Sequence, residues 1–405
     1  MHLQDLFDPF NTDPTVTGFG CPPSLCGYVT SGLGVTRPKI RCVWPEAVSA
    51  RDFTFVVWPL ITTAVLCCSI SAKLACAQDP QIRFGTQVST DVETIYTRGL
   101  EWLTNNQTDQ GNWSGGHSGH GVGDTGICGM AVMVFLASGE DPNFGRYREN
   151  IRRTLGYMIR QQKASTGYLP GSMYQHGFAM LGLAEAYGAV DEELMRKGQG
   201  NSEQRTIGEA LELAVRCAVT AQTKNRWGGW RYTPDSTDSD TSVSGAVLMG
   251  LLAARNAGIR VPDECIDKAL GYFQQMTSKQ GGVGYSGGVG GLGGSKNLQA
   301  ISSLVMSIGR RKDLDEYQAV SSQVVNNIEH SEAGYPFYFR YYMAQALFQH
   351  DFQAWKRWNT RTMHQLKAMQ SDDGSFQSGH GQAYGTAMSM LALALNYRFL
   401  PIYER

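Results

Sequence analysis

The sequence has almost no net charge, and this lack excludes one broad class of partner. Its 35 Lys and Arg residues nearly balance 36 Asp and Glu residues, which leaves a formal net charge of −1. No basic stripe of the kind that binds nucleic acid is present. No long run of like charge indicates an acidic or basic tail. We therefore expect no nucleic-acid partner.

Cysteine is scarce in the part of the chain that would have to form a folded domain. The chain has nine cysteines. Those before residue 78 are Cys21, Cys26, Cys42, Cys67, Cys68 and Cys76, and those after it are Cys128, Cys217 and Cys265. Three scattered cysteines in apolar helical segments do not form a disulfide scaffold. We expect them to be buried as small apolar side chains.

Alternating apolar and polar runs, which indicate β-strands, are also lacking after residue 88. The apolar segments 124–139, 173–188, 241–257 and 384–399 are instead rich in Ala, Leu and Met, which favour helix. Amphipathic helical segments and glycine-rich turns lie between them. The pattern predicts an all-α fold.

A leucine, a glutamine, a glycine and an aromatic residue recur at one spacing near both ends of this region. They are Leu103, Gln107, Gly111 and Trp113 in the first copy, and Leu366, Gln370, Gly374 and Phe376 in the last. In both copies the glutamine follows the leucine by four residues, the glycine follows by four more and the aromatic residue by two. Two such copies so far apart predict a repeat architecture.

Weaker copies fill the interval between these two. They are Gln162 with Gly167-Tyr168, Gln222 with Gly228-Gly229-Trp230, Thr277 with Gly284-Tyr285, and a degenerate copy at Gly334-Tyr335. The spacing of the glutamine positions leaves room for six units. Each unit reads as an amphipathic helix, a glycine-aromatic turn and a second helix of small and apolar residues.

This pattern resembles the QW repeat of squalene–hopene cyclases and of the β-subunits of protein prenyltransferases, over about residues 88–400. The resemblance implies an α/α toroid, in which about six helical hairpins close into a ring. The second helix of each pair would line a central chamber, and the turn before it would stand at one mouth. The repeated Gln, Gly and aromatic residues are expected to hold the repeats together rather than to catalyse.

The first 77 residues differ in composition from the repeat region. Residues 1–52 are expected to be disordered or an over-extended start, and residues 53–77 to be a signal peptide. Arg51 precedes an apolar run, and Ala75-Cys76-Ala77 supplies the small residues of a cleavage site. An uncleaved anchor is the alternative, because the run is nearly long enough to span a membrane. We expect residues 78–405, the toroid domain, to be exported to the periplasm or secreted, with membrane contact only through the leader.

Histidines and an aspartate in two glycine-rich turns form a candidate metal site. They are His117, His120 and Asp124 in the first unit and His380 in the last. Imidazole and carboxylate are ligands of Zn²⁺, and closure of the ring would bring the first and last units together. The alternative is that the histidines are solvated and that Asp124 caps the following helix. Zinc is the only cofactor that these residues suggest.

Three carboxylates, Asp235, Asp238 and Asp240, precede the inner helix of the third unit. Class II terpene cyclases carry an Asp-x-Asp-Asp-Thr stretch at this point, and its middle aspartate protonates an alkene or epoxide. Aligning Asp240-Thr241 with the end of that stretch places Ser239 at the acid, so the match is incomplete. The resemblance makes Asp238 and Asp240 candidate acids. The alternative is a capping cluster at a helix N-terminus.

Aromatic and histidine side chains near the starts of the inner helices are the candidate ligand-binding residues. They are Trp230, His176, Tyr338, Tyr341, Tyr342 and Tyr384. Their π faces would stabilise a carbocation or stack on a sugar. The alternative is core packing between inner and outer helices.

These observations support three hypotheses for function. The first is a squalene-cyclase-like toroid that binds an isoprenoid or other apolar ligand and, if catalytic, is a proton-initiated terpenoid cyclase or isomerase. The second is a non-enzymatic binding or scaffold protein of the cell envelope. The third is a His/Asp metal-dependent hydrolase or lyase. Prenyltransferase β-subunits place a zinc-binding Asp and Cys near the glycine-rich turn of the fourth unit, and no matching Asp-x-Cys stands in residues 281–297. Protein prenyl transfer is therefore not expected.

Overall fold

The computed structural model describes residues 88–113, 125–197, 205–287 and 294–403. Within these ranges the chain is helical apart from two isolated β-bridges, Trp230–Asp240 and Thr277–Val283. The helices are α1 Thr90–Asn105, α2 Thr125–Ala137, α3 Arg148–Gln161, α4 Met173–Ala186, α5 Glu192–Lys197, α6 Ile207–Thr223, α7 Thr241–Asn256, α8 Asp263–Met276, α9 Lys296–Ile308, α10 Asp315–Asn326, α11 Pro336–His350, α12 Phe352–Met369 and α13 Gln382–Ala394, followed by the 3-10 helix Pro401–Tyr403.

Six helix pairs form two concentric layers in the described residues. The outer helices α1, α3, α6, α8, α10 and α12 each bury one face. The inner helices α2, α4, α7, α9, α11 and α13 are buried on nearly every side. Neighbouring inner helices pack on one another in chain order, and α13 packs back on α2. The ring is therefore closed, and the predicted α/α toroid is confirmed.

The inner helices run parallel to one another. Gly126 in the first turn of α2 lies against Gln175 near the start of α4, and Gly177 lies against Ala246 of α7. All inner helices consequently begin at one end of the ring, here called the first mouth, and end at the other, the second mouth. The residue just before an inner helix caps it in two cases, because Asp240 accepts from the Val243 amide and Ser295 from the Leu298 amide.

One glutamine hydrogen-bond pattern joins four of the six units to the unit that follows. The Gln370 side-chain amide donates to the carbonyl of Gly374 and to that of Ile95 in α1, each at 2.9 Å. The same pair of bonds joins Gln107 to Gly111 and Asn150, Gln162 to Gly167 and Ala210, and Gln222 to Gly228 and Cys265. Each amide thus links its own turn to the first turns of the next outer helix. At Gln370 that next helix is α1, so the pattern closes the ring.

The fourth unit makes the same connection with a different residue. Thr277 occupies the glutamine position, and its hydroxyl contacts that of Ser302 at 2.9 Å. Gln299, from the inner helix α9, donates instead to the carbonyl of Gly281 at 3.0 Å. The glycine of this unit is therefore Gly281, and the assignment of Gly284 from the sequence was wrong. Gly281 lies four residues after Thr277, the spacing of the two specific copies, and only the donor comes from the following helix.

Glycine is required in these turns because the next outer helix lies directly against it. Gly374 has a φ of +91°, and a Cβ atom there would lie 2.3 Å from the Arg98 carbonyl oxygen. A side chain would meet both an unfavourable backbone conformation and a main-chain atom that cannot move aside. The other repeat glycines have the same positive φ and the same kind of neighbour: Gly111, Gly167, Gly228 and Gly281.

We expect Gly374→Ala to lower the free energy of unfolding by about 2–4 kcal/mol, because the added methyl group would force apart the contact between the last and first units. Gly271→Ala is the matched control. An added Cβ at Gly271, inside α8, would meet nothing within 4 Å, so this change should be neutral or stabilising by up to about 1 kcal/mol. Urea unfolding followed by circular dichroism measures both. Equal effects of the two changes on the free energy of unfolding would show that the contact between the last and first units does not depend on Gly374.

The segment after α13 crosses the second mouth. Tyr397 packs on Tyr96 of α1 with ring centroids 4.8 Å apart, and the Arg398 guanidinium lies over the Phe348 ring of α11. Further along, the Ile402 amide donates to the Glu185 carboxyl group at the end of α4. Glu185 is buried, and one of its oxygens has no hydrogen-bond partner among the described residues. Burial raises the pKa of Glu185 from 4.5 to about 8.

The raised pKa of Glu185 predicts a loss of stability as pH rises. The folded state keeps this carboxyl protonated above pH 4.5, where the unfolded chain releases the proton. The contribution of the protonated Glu185 carboxyl group to the free energy of unfolding is therefore fully present below about pH 4.5 and is lost by about pH 8. Relative to Glu185→Gln, the wild-type free energy of unfolding should fall across this range by at most about 4 kcal/mol. Glu212→Gln, on the exposed face of α6, should follow the wild type. Parallel wild-type and Glu185→Gln curves in urea unfolding from pH 5 to 9 would contradict the assignment.

No helix among the described residues is both long enough and apolar enough to cross a membrane. The predicted leader, residues 1–52 and 53–77, lies outside the described ranges. Its role and the export of the domain stay predictions.

Candidate active site

Aromatic side chains from opposite sides of the ring meet at the first mouth. Helices α4 and α11 belong to the second and fifth pairs, yet the rings of Tyr174 and Tyr338 lie 5.9 Å apart. One turn deeper, Phe178 and Tyr341 have centroids 5.6 Å apart. The expectation of an open central chamber needs correction at this level, because these contacts span it. Large rings reach across the space that smaller side chains would leave empty.

The aromatic contacts continue between neighbouring tyrosines of α11. The Tyr342 ring packs edge-on against both Tyr338 and Tyr341, with centroids 4.8 Å apart in each case. These rings are almost wholly buried. Burial raises the pKa of Tyr174, Tyr338 and Tyr342 above the ordinary value, so their hydroxyls stay protonated. The Tyr174 hydroxyl has no hydrogen-bond partner in the described part of the chain. The lumen wall is therefore aromatic but carries neutral polar groups.

Asp240 is the one aspartate at this mouth that is fully buried among the described residues. Its main-chain amide donates to the Trp230 carbonyl at 3.0 Å, and its Oδ1 accepts from the Val243 amide at 2.8 Å. The second oxygen, Oδ2, has no hydrogen-bond partner among the described residues. Burial raises the pKa of Asp240 from 3.8 to about 7, and the Val243 amide and the Arg231 charge only partly oppose this. Near neutral pH a large fraction of Asp240 therefore carries a proton.

Asp238 has a different environment, although it lies only two residues away. Its side chain is half exposed and forms an ion pair with Arg231. The ion pair holds this carboxylate toward Arg231 at the protein surface. Of the two candidate acids, the geometry therefore favours Asp240. Ser239, which the incomplete motif placed at the acid position, donates to the Asn225 side chain at 3.0 Å.

Four tyrosines surround the buried carboxyl group. The hydroxyls of Tyr232 and Tyr285, from the turns of the third and fourth units, lie 2.6 Å apart. The charge of Asp240 contributes to a raised pKa at both, and at Tyr272 and Tyr338 as well. Sequence analysis did not single out Tyr232, Tyr272, Tyr285 or Tyr174 as site residues. Their positions in the repeat could have identified them. Each lies beside a glycine-aromatic turn, in the first turn of an inner helix or near the end of an outer helix.

A cavity of about 280 Å³ opens beside this cluster, between the fifth and sixth units. Its side chains include Tyr335, Phe337, Gln377, Ser378, His380 and Tyr384. The His380 ring lies nearly parallel to Tyr335 at 6.1 Å and edge-on to Tyr384 at 5.3 Å. Partial burial lowers the pKa of His380, which favours its neutral form. Tyr384 interacts with both Tyr174 and Tyr338, so it links the cavity to the lumen.

Of the four proposed metal ligands, only His380 lies within the described residues. His117, His120 and Asp124 lie outside the described residues, so their zinc site stays a prediction. His380 lies among aromatic rings. Within the described ranges, no group of three or more His, Cys, Asp or Glu residues could hold a metal ion. The three cysteines Cys128, Cys217 and Cys265 are buried and unpaired by disulfides.

Two of the predicted ligand-binding residues use their polar atoms for packing. His176 accepts from the Leu169 amide through Nδ1 and contacts the Ala214 carbonyl through Nε2, each at 3.1 Å. Trp230 donates from Nε1 to the Ala218 carbonyl at 2.8 Å. These bonds hold inner helices to their turns and outer helices. Leu169, rather than the assigned Tyr168, therefore fills the aromatic position of the second unit.

The comparisons with known proteins identify the fold. No protein-family model matches this chain, and no curated protein sequence matches it. Among solved structures, it is similar to the α-1,6-mannanase GH76A from Salegentibacter sp. HEL1_6, with 10% identity, a TM-score of 0.52, and 76% of this chain and 99% of that chain covered. It is also similar to a variant of the type II terpene cyclase MstE from Scytonema in complex with the substrate geranylgeranyl dihydroxybenzoate. Identity there is 12% and the TM-score is 0.52, over 76% of this chain and 98% of that one. Both are α/α toroids, so the class of protein that the comparisons show is the α/α toroid.

We expect His176→Ala to lower the free energy of unfolding by about 2–4 kcal/mol, because it removes the partner of a buried amide and of a buried carbonyl and leaves a cavity. His364→Ala, on the exposed face of α12, is the control and should change stability by less than about 0.5 kcal/mol. Chemical denaturation at pH 7.5 measures both. A His176→Ala variant as stable as the control would return His176 to the candidate ligand-binding residues.

Proposed function

We propose that this chain is a squalene-cyclase-like toroid that protonates an apolar ligand at the first mouth. The ligand is an isoprenoid or another molecule with a carbon–carbon double bond, and Asp240 is the proton donor. The observation that carries the proposal is the Asp240 Oδ2 atom, which is buried, without a hydrogen-bond partner among the described residues, and part of a carboxyl group that burial keeps protonated near neutral pH.

The chemistry needs only the groups found at this mouth. Transfer of the Asp240 proton to one alkene carbon forms a C–H bond and leaves a carbocation on the adjacent carbon. The faces of buried tyrosine and phenylalanine rings stabilise a cation in a site of low polarity. Loss of a different proton to the Asp240 carboxylate or to water then gives an isomerised or cyclised alkene. The sequence of steps is redox-neutral and consumes no co-reactant.

Asp240 fits the role of acid better than the incomplete motif suggested. A general acid acts best when its pKa is near the working pH, and burial raises the pKa of Asp240 to about 7. Arg231 forms an ion pair with Asp238 and also lowers the pKa of Asp240 in part. We assign Arg231 and Asp238 to positioning the turn, and the tyrosine rings to binding the ligand.

A non-enzymatic binding or scaffold role is the second candidate. The observation that favours it is the set of aromatic contacts across the lumen, which closes the space that an apolar ligand would occupy. For the first candidate, the Tyr174 and Tyr338 rings must rotate apart when a ligand binds. Export of the domain through residues 53–77 belongs to either proposal.

The two candidates differ in whether a ligand gains a proton from the protein. Wild-type protein in D₂O, incubated with linear isoprenoids such as squalene and geranylgeraniol, should incorporate deuterium at carbon, detected by mass spectrometry. Asp240→Asn should lower that rate by about 100-fold or more, because the amide retains the helix cap but cannot donate a proton to an alkene.

Asp238→Asn is the matched control for this experiment. It changes a neighbouring carboxylate that is exposed and paired, so incorporation should stay within about tenfold of the wild type. Thermal melting of both variants verifies folding. Equal rates for wild-type protein and the Asp240→Asn variant would refute the acid assignment. A lack of incorporation by the wild type would favour the scaffold role.

A further inference from the structure

The cavity between the fifth and sixth units has a chemistry distinct from that of the lumen. Its described lining contains no Lys, Arg, Asp or Glu, and consists of Ala333, Gly334, Tyr335, Pro336, Phe337, Gln377, Ser378, Gly379, His380 and Tyr384. Gln377 offers an amide, and Ser378 offers a hydroxyl group. His380 is favoured in its neutral form by its lowered pKa. The cavity therefore combines apolar ring faces with uncharged donors and acceptors.

This lining discriminates between the two common forms of an isoprenoid head group. A diphosphate carries several negative charges, and bringing it against aromatic rings without a cation costs much more than bringing in a neutral group. An alcohol needs one donor and one acceptor, which an amide and a hydroxyl supply. A neutral polar group that keeps its hydrogen bonds is removed from water at little net cost.

Tyr384 connects the cavity to the tyrosine cluster near the proposed acid. Tyr384 borders the cavity and interacts with Tyr174 and Tyr338. Tyr338 in turn lies near Ser242 in the first turn of α7, and Asp240 contributes to its raised pKa. For a molecule with its head group beside Gln377, the proposed function requires that the tail pass Tyr384 and that the Tyr174 and Tyr338 rings rotate apart.

We propose that the cavity lined by Gln377, Ser378, His380 and Tyr384 binds the uncharged head group of a linear isoprenoid alcohol and rejects the corresponding diphosphate. The inference rests on the proposed function, since it assumes an isoprenoid tail in the lumen. It names the substrate class as a neutral isoprenoid alcohol. It also assigns head-group selection to Gln377, a residue with no part in proton transfer.

Direct binding of a matched ligand pair tests this inference. Geranylgeraniol and geranylgeranyl diphosphate share one tail and differ only in the head group. Binding to the full-length protein is measured by quenching of intrinsic fluorescence in the same dilute detergent and salt. The wild type should bind the alcohol at least tenfold more tightly than the diphosphate.

A single charge placed in the cavity should reverse that preference. Gln377→Lys adds a cation at the head-group position, so the diphosphate should bind about tenfold more tightly and the alcohol several-fold more weakly than in the wild type. Gln353→Lys adds the same charge at an exposed position in the first turn of α12, outside the cavity. It should leave the ratio of the two affinities unchanged, which separates a local effect from the net charge of the protein.

The possible results separate this inference from the proposed function. Equal affinities for the two ligands in the wild type, an unchanged ratio in Gln377→Lys, or lack of binding of either ligand would overturn the inference. If the alcohol is preferred and Gln377→Lys reverses the preference, the inference stands, whether or not deuterium is incorporated. If deuterium incorporation depends on Asp240 while the head groups are not distinguished, the acid assignment stands and the head-group site does not.

Discussion

The toroid depends on a buried side-chain amide that connects each helical hairpin to the next. The end of an outer helix leaves main-chain carbonyls without partners, and so does the turn that follows. A glutamine at that point donates to its own glycine carbonyl and to a carbonyl of the next outer helix, as Gln222 does to Gly228 and Cys265. Leaving such carbonyls buried and unpaired would cost about 1–3 kcal/mol each. Because the same pair of bonds recurs in four of the six units, those hairpins are placed on the next in nearly the same way, and the bonds of Gln370 join the last unit to the first.

Closure of the ring determines the electrostatics of the site. The inner helices are covered on the outside by the outer helices and on the inside by each other, so little water reaches the first turns of α7 and α11. Carboxyl groups placed in such surroundings stay protonated, because the charged form loses its hydration. Asp240 at the first mouth and Glu185 at the second both show this effect. A solenoid that did not close would expose these two carboxyl groups to water, and their pKa values would no longer be raised by burial.

The sequence predicted those parts of the fold that repeat. The spacing of Gln107, Gln162, Gln222 and Gln370 predicted helix pairs and their number, since one local interaction is used repeatedly. The closed ring was implied by the resemblance to QW-repeat proteins. Substituted positions were not predictable. In the fourth unit Thr277 replaces the glutamine, and the bond to the turn glycine comes from Gln299 of the following helix. The spacing of residues along the chain does not predict a donor from another helix.

The site was only partly predictable for a related reason. Asp240, Tyr338 and Tyr384 were named because they follow turns, where the repeat exposes its first inner residues. The contact of Tyr174 with Tyr338 joins units separated by half the ring, and its partner is set by closure rather than by sequence distance. The hydrogen bond from the Ile402 amide to Glu185 depends on the path of the segment after α13, which has no repeating sequence pattern. Such long-range pairs have no local pattern that predicts them.

The position of Asp240 also bears on whether the site is functional. As a helix cap, aspartate has no advantage over serine or asparagine, and the chain caps α6 with Thr206 and α9 with Ser295. A serine at position 240 would satisfy the Val243 amide without placing an ionisable group in a buried site. The carboxyl group instead carries a second oxygen without a hydrogen-bond partner among the described residues and has a pKa of about 7, both of which lower stability at neutral pH. Capping accounts for Oδ1 alone, and the remaining oxygen is the observation on which the proposed proton donation rests.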